Sequence, residues 1–174
     1  MSDETLQIRQ NGMLNAQKSV LQLINGRRVH RFDNKRRFCL PLDWYDTLGR
    51  PMKLYAIPSA TGRRSIDLYT PEEIDKKISY LRSEAVFDVQ ASANLTDIYE
   101  MMADVTVDNQ NRIRISDSHL SYAQIGKDDE ELVLIGVGTF ISVYSVAQKP
   151  SIEVFESERV NTLWQAIKPR KEAP

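Results

Sequence analysis

Two short segments of the sequence place an aspartate four residues before an arginine, Asp33-Asn34-Lys35-Arg36-Arg37 and Asp108-Asn109-Gln110-Asn111-Arg112. An aspartate followed by asparagine favours a tight turn, because the carboxylate accepts hydrogen bonds from backbone amides further along the chain. The guanidinium that ends each segment carries a planar set of donors, which fits phosphate oxygens and the major-groove edge of guanine. Both segments are therefore candidates for binding nucleic acid, with Asp33 and Asp108 shaping the turns.

A structural role is the alternative for each pair, in which the aspartate holds the turn and the arginine pairs with a nearby carboxylate. The charge distribution favours binding for the first segment. Between Arg27 and Arg64 there are ten lysines and arginines against three acids, whereas residues 104–132 have three basic residues against seven acids. The whole chain has a net charge of −1, so the basic region is local. Such a local excess is typical of a protein that binds a phosphate backbone.

The two segments belong to a longer internal duplication with an offset of 75 residues. The equivalent positions include Asp33 and Asp108, Leu40 and Ile115, and Ile66 and Ile141. Each copy is predicted to contain a strand, the turn, a second strand, a short helical or irregular link, two more strands joined by a loop, and a helix. Alternation along the second strand places Phe38, Leu40 and Leu42 on the face directed to the core.

The predicted elements are mainly strands. Six runs rich in β-branched and aromatic residues indicate them, namely "KLYAI", "SIDLY", "ADVTV", "RIRIS", "ELVLIGV" and "FISVYS". A helix is predicted to begin at Thr70 and Pro71, which suit the N-cap and the first turn. A second helix is predicted around Leu95 to Met102, with its start signal at Asn94 or Thr96. Short helices are also considered around Leu14 to Leu23 and Ile152 to Ile167.

The sequence contains few residues that could carry out metal, redox or hydrolytic chemistry. There is one cysteine, Cys39, and the two histidines, His30 and His119, do not occupy equivalent positions of the duplication. The glycines of "GVG" at 136–138 lack the rest of a dinucleotide motif and are interpreted as strand bends or points of close backbone approach. We predict no catalytic residue, metal, cofactor, small-molecule substrate or membrane partner, and the polar N-terminal segment predicts a protein retained inside the cell.

The duplicated turns together with "LVLIGVGTFISVYS" at residues 132–145 resemble the MraZ family of bacterial transcriptional regulators. "LINGRRVHRFDNKRRFCLP" is similar to the opening of that family, and "SIDLYTPEEIDKKISYL" is similar to its following strand and helix. The resemblance implies a mainly β fold with short helices (α+β), in which two tandem AbrB-like swapped-hairpin units form a pseudo-twofold, β-barrel-like domain. The expected parts are an N-terminal extension at 1–22, repeats at 23–97 and 98–148, and a tail at 149–174.

The resemblance also implies sequence-specific binding of repeated promoter boxes in double-stranded DNA. A ring-like homo-oligomer acting as a repressor would do this in the cytoplasm, in association with the nucleoid. The DNA-facing positions that it implies are Arg37 and Arg112, with Lys35, Arg36 and Arg31 beside the first turn and Arg114 beside the second. Asp33 and Asp108 would shape the turns.

The sequence departs from the family where a glycine usually precedes the motif arginine, since Arg36 and Asn111 stand there. Asparagine tolerates a positive φ, whereas arginine tolerates it poorly. The first turn is therefore expected to have a different backbone or some strain. The departure, the acidic second copy and the net charge leave an alternative open, an oligomeric structural or protein-interaction module that keeps the scaffold and has lost DNA recognition.

Overall fold

The computed structural model describes residues 22–60 and 63–148, together with residues 162 and 166. Residues 162 and 166 are helical, while the rest of the helix considered at Ile152 to Ile167 and residues 14–21 of the N-terminal one lie outside the described residues. In chain order the elements are β1 (Arg27–Arg31), β2 (Phe38–Cys39), α1 (Leu42–Thr47), β3 (Lys53–Pro58), β4 (Ile66–Tyr69), α2 (Pro71–Glu84), α3 (Val89–Met101), β5 (Ala103–Thr106), β6 (Arg112–Ile113), α4 (Asp117–Tyr122), β7 (Glu131–Val137) and β8 (Phe140–Ser145).

The predicted fold class, mainly strands with short helices, is confirmed. Six strands form one antiparallel sheet in the order β1-β7-β8-β4-β3-β5, and β2 pairs with β6 in a separate two-stranded sheet. The large sheet is open, with β1 and β5 at its edges, so closure into a barrel is not seen among the described strands. None of the helices in the described part of the chain is long and apolar enough to cross a membrane.

The two copies of the duplication exchange strands. β1 of the first copy pairs with β7 of the second, and β5 of the second copy pairs with β3 of the first. At the centre, Asp67 faces Ser142 in the large sheet and Phe38 faces Ile113 in the small one. The two residues of each pair are 75 positions apart and are therefore equivalent in the duplication. A pseudo-twofold axis thus passes between the two residues of each pair. Residue 98 lies within α3, and the division of the chain into repeats at that point stays a prediction.

The helix ends follow local capping. Thr70 accepts a hydrogen bond from the Glu73 amide and Pro71 opens α2, as predicted. The predicted start of α3 near Asn94 or Thr96 is wrong, because Asp88 caps the helix by accepting from the Ala91 amide at 2.6 Å.

The main core lies between the large sheet and the layer formed by β2, β6, α1 and α4. Phe38 and Leu40 are buried there, as alternation predicts, together with Ile113 and Ile115 of the second copy. Leu42 is exposed, contrary to prediction, because α1 begins at that residue and the alternation of the strand ends. On the other face of the large sheet, α2 and α3 cover a smaller cluster of apolar side chains, Tyr69, Ile74 and Ile78 with Tyr55, Ile57, Ile98, Met102 and Phe140.

Candidate nucleic-acid interface

The first turn is organised by the carboxylate of Asp33. Its Oδ1 accepts from the backbone amides of Lys35 and Arg37 at 2.9 and 2.8 Å. Its Oδ2 accepts from Nε and Nη2 of Arg37 at 2.9 and 2.8 Å, which fixes the guanidinium against the turn. The Asp33 amide donates to the Arg37 carbonyl at 2.7 Å, and the Arg36 amide donates to the Asp33 carbonyl at 3.0 Å, so the backbone closes on itself.

The second turn repeats this pattern at Asp108. Oδ1 accepts from the amides of Gln110 and Arg112, both at 2.9 Å, and Oδ2 accepts from Nε and Nη2 of Arg112, both at 2.7 Å. The residues before the two arginines also match, because Arg36 and Asn111 each have φ near 58°. The expected difference in backbone between the turns is therefore not found. Arginine occupies the left-handed region at a cost of about 1–2 kcal/mol, which other contacts of Arg36 must offset.

The two turns lie side by side, because β2 and β6 pair directly after them. Nη1 of Arg37 reaches Oδ2 of Asp108 in the other copy at 3.4 Å. Asp108 thus contacts both motif arginines. The Arg37 side chain is 27% exposed, and each of its terminal nitrogens carries two hydrogens, so donors remain beyond these contacts. The arrangement presents two oriented guanidinium groups at one surface, which suits phosphate or guanine oxygens.

The other basic candidates are distributed around this pair. Arg36 crosses from the first turn to the loop between α4 and β7, residues 123–130 (the α4–β7 loop), where it donates to the carbonyls of Asp129 at 2.6 Å and Gly126 at 2.8 Å. Its guanidinium also lies 3.8 Å from the centre of the Phe32 ring. These contacts explain how an arginine is accommodated at a positive φ.

The remaining basic candidates are Arg31, Lys35 and Arg114. Arg31 pairs with Glu131 at 2.8 Å, in line with the pairing of β1 and β7. Arg114 is separated from Asp117 by 3.9 Å, and its side chain is 60% exposed. Lys35 is exposed at the tip of the first turn. The structure thus places all six predicted basic positions on or beside the turns, with different degrees of engagement.

Sequence reasoning missed the contact between Arg36 and the α4–β7 loop. The run of acids at the end of this loop and the start of β7, Asp128 to Glu131, predicts that the two copies differ in charge. The structure instead brings the loop against the first turn, where the acceptors are backbone carbonyls. A backbone carbonyl acceptor leaves no side-chain signal in a sequence. The contact of Arg36 with the loop is therefore seen only once the strand exchange between the copies is known.

Metal binding finds no support in the part of the chain that the structure describes, where no group of three His, Cys, Asp or Glu side chains could hold an ion. His119 bonds to Ser116 Oγ at 2.7 Å and to the Met101 carbonyl at 2.9 Å. Cys39 is exposed, and its sulfur lies 4.0 Å from the carbonyl of Gln110.

The turn carboxyls have depressed pKa values. The backbone amide of Arg37 lowers the pKa of Asp33 most, and the Arg37 guanidinium and the Lys35 amide add to this effect, so that the pKa falls to about 2 despite desolvation. For Asp108, the amide of Arg112 is the main cause of the lowered pKa. Each carboxylate therefore stabilises the folded state in its charged form.

The stability of the protein should consequently fall in acid. Because the folded pKa of Asp33 lies below the unfolded value of about 3.9, its contribution is present above about pH 4 and is lost as the pH falls towards 2. We expect Asp33→Asn and Asp108→Asn to be less stable at pH 7 and to show a flatter loss of stability below pH 4. Urea unfolding from pH 2 to 7 measures this, with Asp128→Asn as the control. Parallel curves for the turn variants and the control would contradict it.

No family model matches the chain. A protein named transcriptional regulator MraZ from Chlorobium phaeobacteroides strain DSM 266 is 27% identical over 143 residues, which cover 79% of this chain and 93% of that protein. The protein of the same name from strain BS1 is 29% identical over 127 residues, covering 69% and 81%. That of Chlorobium limicola is 27% identical over 145 residues, covering 73% and 87%.

Proposed function

We propose that the chain is a member of the MraZ family, and that it is a transcriptional regulator that binds double-stranded DNA through its two Asp-x-x-x-Arg turns. The relatives are named as regulators of transcription, in agreement with the prediction that the chain is not an enzyme. The observation that carries the proposal is the contact between the turns, where Arg37 and Arg112 converge on Asp108. One surface of one chain thereby offers two fixed guanidinium groups.

In the proposed mechanism the carboxylates position the arginines before DNA arrives. Asp33 holds the Nε and Nη2 edge of Arg37, so little side-chain entropy is lost on binding. The contact of Nη1 with Asp108 at 3.4 Å is long for a hydrogen bond and is the one that guanine N7 or O6 would replace. Arg112 would contact the neighbouring part of the site. Arg31, Lys35, Arg36 and Arg114 would bind phosphates and set the register.

Several finer features belong to the same proposal. The protein would act as a repressor at repeated promoter boxes, in the cytoplasm and in association with the nucleoid. A ring-like homo-oligomer would present copies of the paired turns to successive boxes, so that a modest affinity at each box is multiplied by effective concentration.

Selection of bound fragments from a random duplex pool by the full chain tests the proposal. We expect a recurring sequence in the recovered fragments, present more than once in the longer ones, and a repeated assembly in the mass of the same preparation. Enrichment no greater than that of a bead control would contradict sequence-specific binding.

Loss of Lys35 should have a milder and less selective effect than loss of a motif arginine. Lys35 is exposed at the tip of the first turn, so its expected partner is a phosphate. Lys35→Ala should weaken binding to specific and scrambled duplexes alike and reduce the salt slope of the affinity by about one. Fluorescence anisotropy across a salt series measures both quantities. A loss confined to the specific duplex would assign Lys35 to base recognition instead.

One observation favours the second candidate, an oligomeric interaction module without DNA recognition. Arg36 and Arg37 already make their contacts within the chain, with backbone carbonyls and with two carboxylates. Retention on heparin at low salt separates the candidates. A DNA-binding regulator is expected to be retained and to elute with salt, whereas a module of the second kind would pass through the column.

A further inference from the structure

A cleft of about 510 Å³ lies between the first turn and the second copy. Its walls come from Arg36, from α4 and the residues around it, and from the α4–β7 loop. Leu120 and Ile125, both buried, form part of its lining. Cavities of this size accommodate small ligands when a few polar groups converge on an apolar base.

Three cations line the cleft, namely Arg36, Arg114 and Lys127, against a single acid, Asp117. The pair of Arg114 and Asp117 is separated by 3.9 Å, and both side chains are at least 60% exposed, so the pair is weak. Lys127 is exposed at the rim. The cleft therefore has an excess of positive charge, although the second copy is acidic in sequence.

Three of the four acids at the end of the α4–β7 loop and the start of β7, Asp129, Glu130 and Glu131, line a different cavity, next to Arg31. Oδ2 of Asp129 accepts from the Gly126 amide at 2.6 Å, and Glu131 pairs with Arg31. Lys127 therefore lines the cleft, whereas these three acids line the neighbouring cavity.

Arg36 lies at the edge of the cleft. Its hydrogen bonds go to the neutral carbonyl oxygens of Gly126 and Asp129, and the Phe32 ring lies against its guanidinium. These contacts fix the group in place without supplying a counter-ion. Such a fixed guanidinium is well suited to a phosphate oxyanion.

Neutral polar groups complete the lining. Ser121 contributes a hydroxyl, and Gln124 contributes an amide. Oε1 of Gln124 accepts from Gln148 Nε2 at 2.5 Å, so the amide nitrogen of Gln124 is left as the donor for a ligand.

The pseudo-twofold axis supplies an internal comparison. The residue 75 positions before Arg114 is Cys39, and the residue 75 positions after Arg36 is Asn111. Neither carries a charge. Arg36 and Arg114 therefore have no charged equivalents in the other copy, and the duplicated fold does not require these two cations.

We propose that the cleft bounded by Arg36, Arg114 and Lys127 is a binding site for a phosphate group. The phosphate is either a backbone phosphodiester of DNA held by the adjacent turns, which rests on the proposed function, or the phosphoryl group of a free compound, which does not. In both cases Arg36 provides the fixed donor, and Arg114 and Lys127 close on the oxyanion from the exposed side.

The test compares Arg114→Gln and Lys127→Gln with Arg63→Gln, which removes one exposed positive charge from the loop between β3 and β4. In the first arm, anisotropy across a salt series measures binding of a scrambled 20-base-pair duplex by the full chain. In the second arm, calorimetry measures binding of inorganic phosphate and of adenosine monophosphate. Circular dichroism on all variants verifies that the fold is retained.

The site is supported, with DNA as the source of the phosphate, if the cleft variants lose duplex affinity severalfold and their salt slope falls by about one. Arg63→Gln should show neither change. Roughly tenfold weaker binding of phosphate or the nucleotide in both cleft variants, with duplex binding unchanged in Lys127→Gln, supports it with a free phosphoryl ligand. The proposal is overturned if the cleft variants behave like Arg63→Gln in both arms. It is also overturned if the wild-type protein binds neither the duplex nor the two phosphate compounds. If the protein does not bind DNA, the second arm still tests the site, because it measures binding of phosphate and of the nucleotide without DNA.

Discussion

Replacement of Arg37 by alanine is expected to reduce affinity for the selected duplex by roughly 10- to 100-fold, as loss of a bidentate base contact would. Asp33 holds two nitrogens of this guanidinium and Asp108 approaches a third, so the group is placed before DNA binds. Binding to a scrambled duplex should fall much less, because the phosphate contacts remain. Competition binding with both duplexes measures the two losses.

Arg37→Lys is the matched variant for this prediction. Lysine keeps the positive charge and part of the contact with Asp33, but it lacks the planar fork that reads guanine. We expect Arg37→Lys to bind the scrambled duplex almost as wild type does and to lose most of the preference for the selected one. A preserved preference in both variants would assign Arg37 a structural role only. Thermal unfolding and oligomer mass on the same samples separate a loss of recognition from a loss of fold.

Substitution of Gly136 by alanine is expected to cause the largest loss of stability. A Cβ at this position would lie 2.7 Å from the backbone nitrogen of Asn25 and 2.9 Å from the carbonyl carbon of Ile24. The Gly136 amide also donates to the Gly26 carbonyl at 3.0 Å, so the two backbone segments cannot separate without breaking that bond. Ile24 is a buried core residue, and its displacement would open the edge where β1 meets β7.

We expect Gly136→Ala to lose about 1–3 kcal/mol or more of unfolding free energy, in the range of overpacked sites. Gly126→Ala is the matched control, because the nearest atom to a Cβ there is the Asp129 Oδ2 at 3.5 Å, an ordinary contact. Urea unfolding at pH 7 compares the two. Equal midpoints would show that the segment before β1 moves aside freely. Interpretation of "GVG" as a point of close approach would then be wrong.

The sequence predicted the fold well where local signals repeat. The offset of 75 residues relates Asp33 to Asp108, and these two residues build turns with the same hydrogen bonds. Strands β7 and β8 match the predicted runs residue for residue. These features depend on side chains that are close in sequence or on the period of a strand. Both signals can be recognised in a single sequence.

The parts that were missed depend on contacts between distant residues. Arginine at position 36 predicts a different backbone or some strain in the first turn. The backbone matches that of the second turn at the same positive φ, and carbonyls about 90 residues further along the chain accept the hydrogen bonds of the Arg36 side chain. The contact of Arg37 with Asp108 has the same origin, since it follows from the pairing of β2 with β6. The start of α3 was placed too late, because Asp88 was not recognised as its cap. Periodicity predicts elements, but it does not predict which elements become neighbours.

Hydrogen exchange of the full chain with and without the selected duplex tests the central claim most directly, that the two turns form one DNA-binding surface. We predict slower exchange in peptides covering residues 33–39 and 108–114 at the same duplex concentration, because both turns would be covered in one binding event. The helices α2 and α3 should be unaffected by the contact itself. Protection confined to one turn would contradict the paired surface, and protection of α2 and α3 with both turns unchanged would contradict the proposed interface altogether.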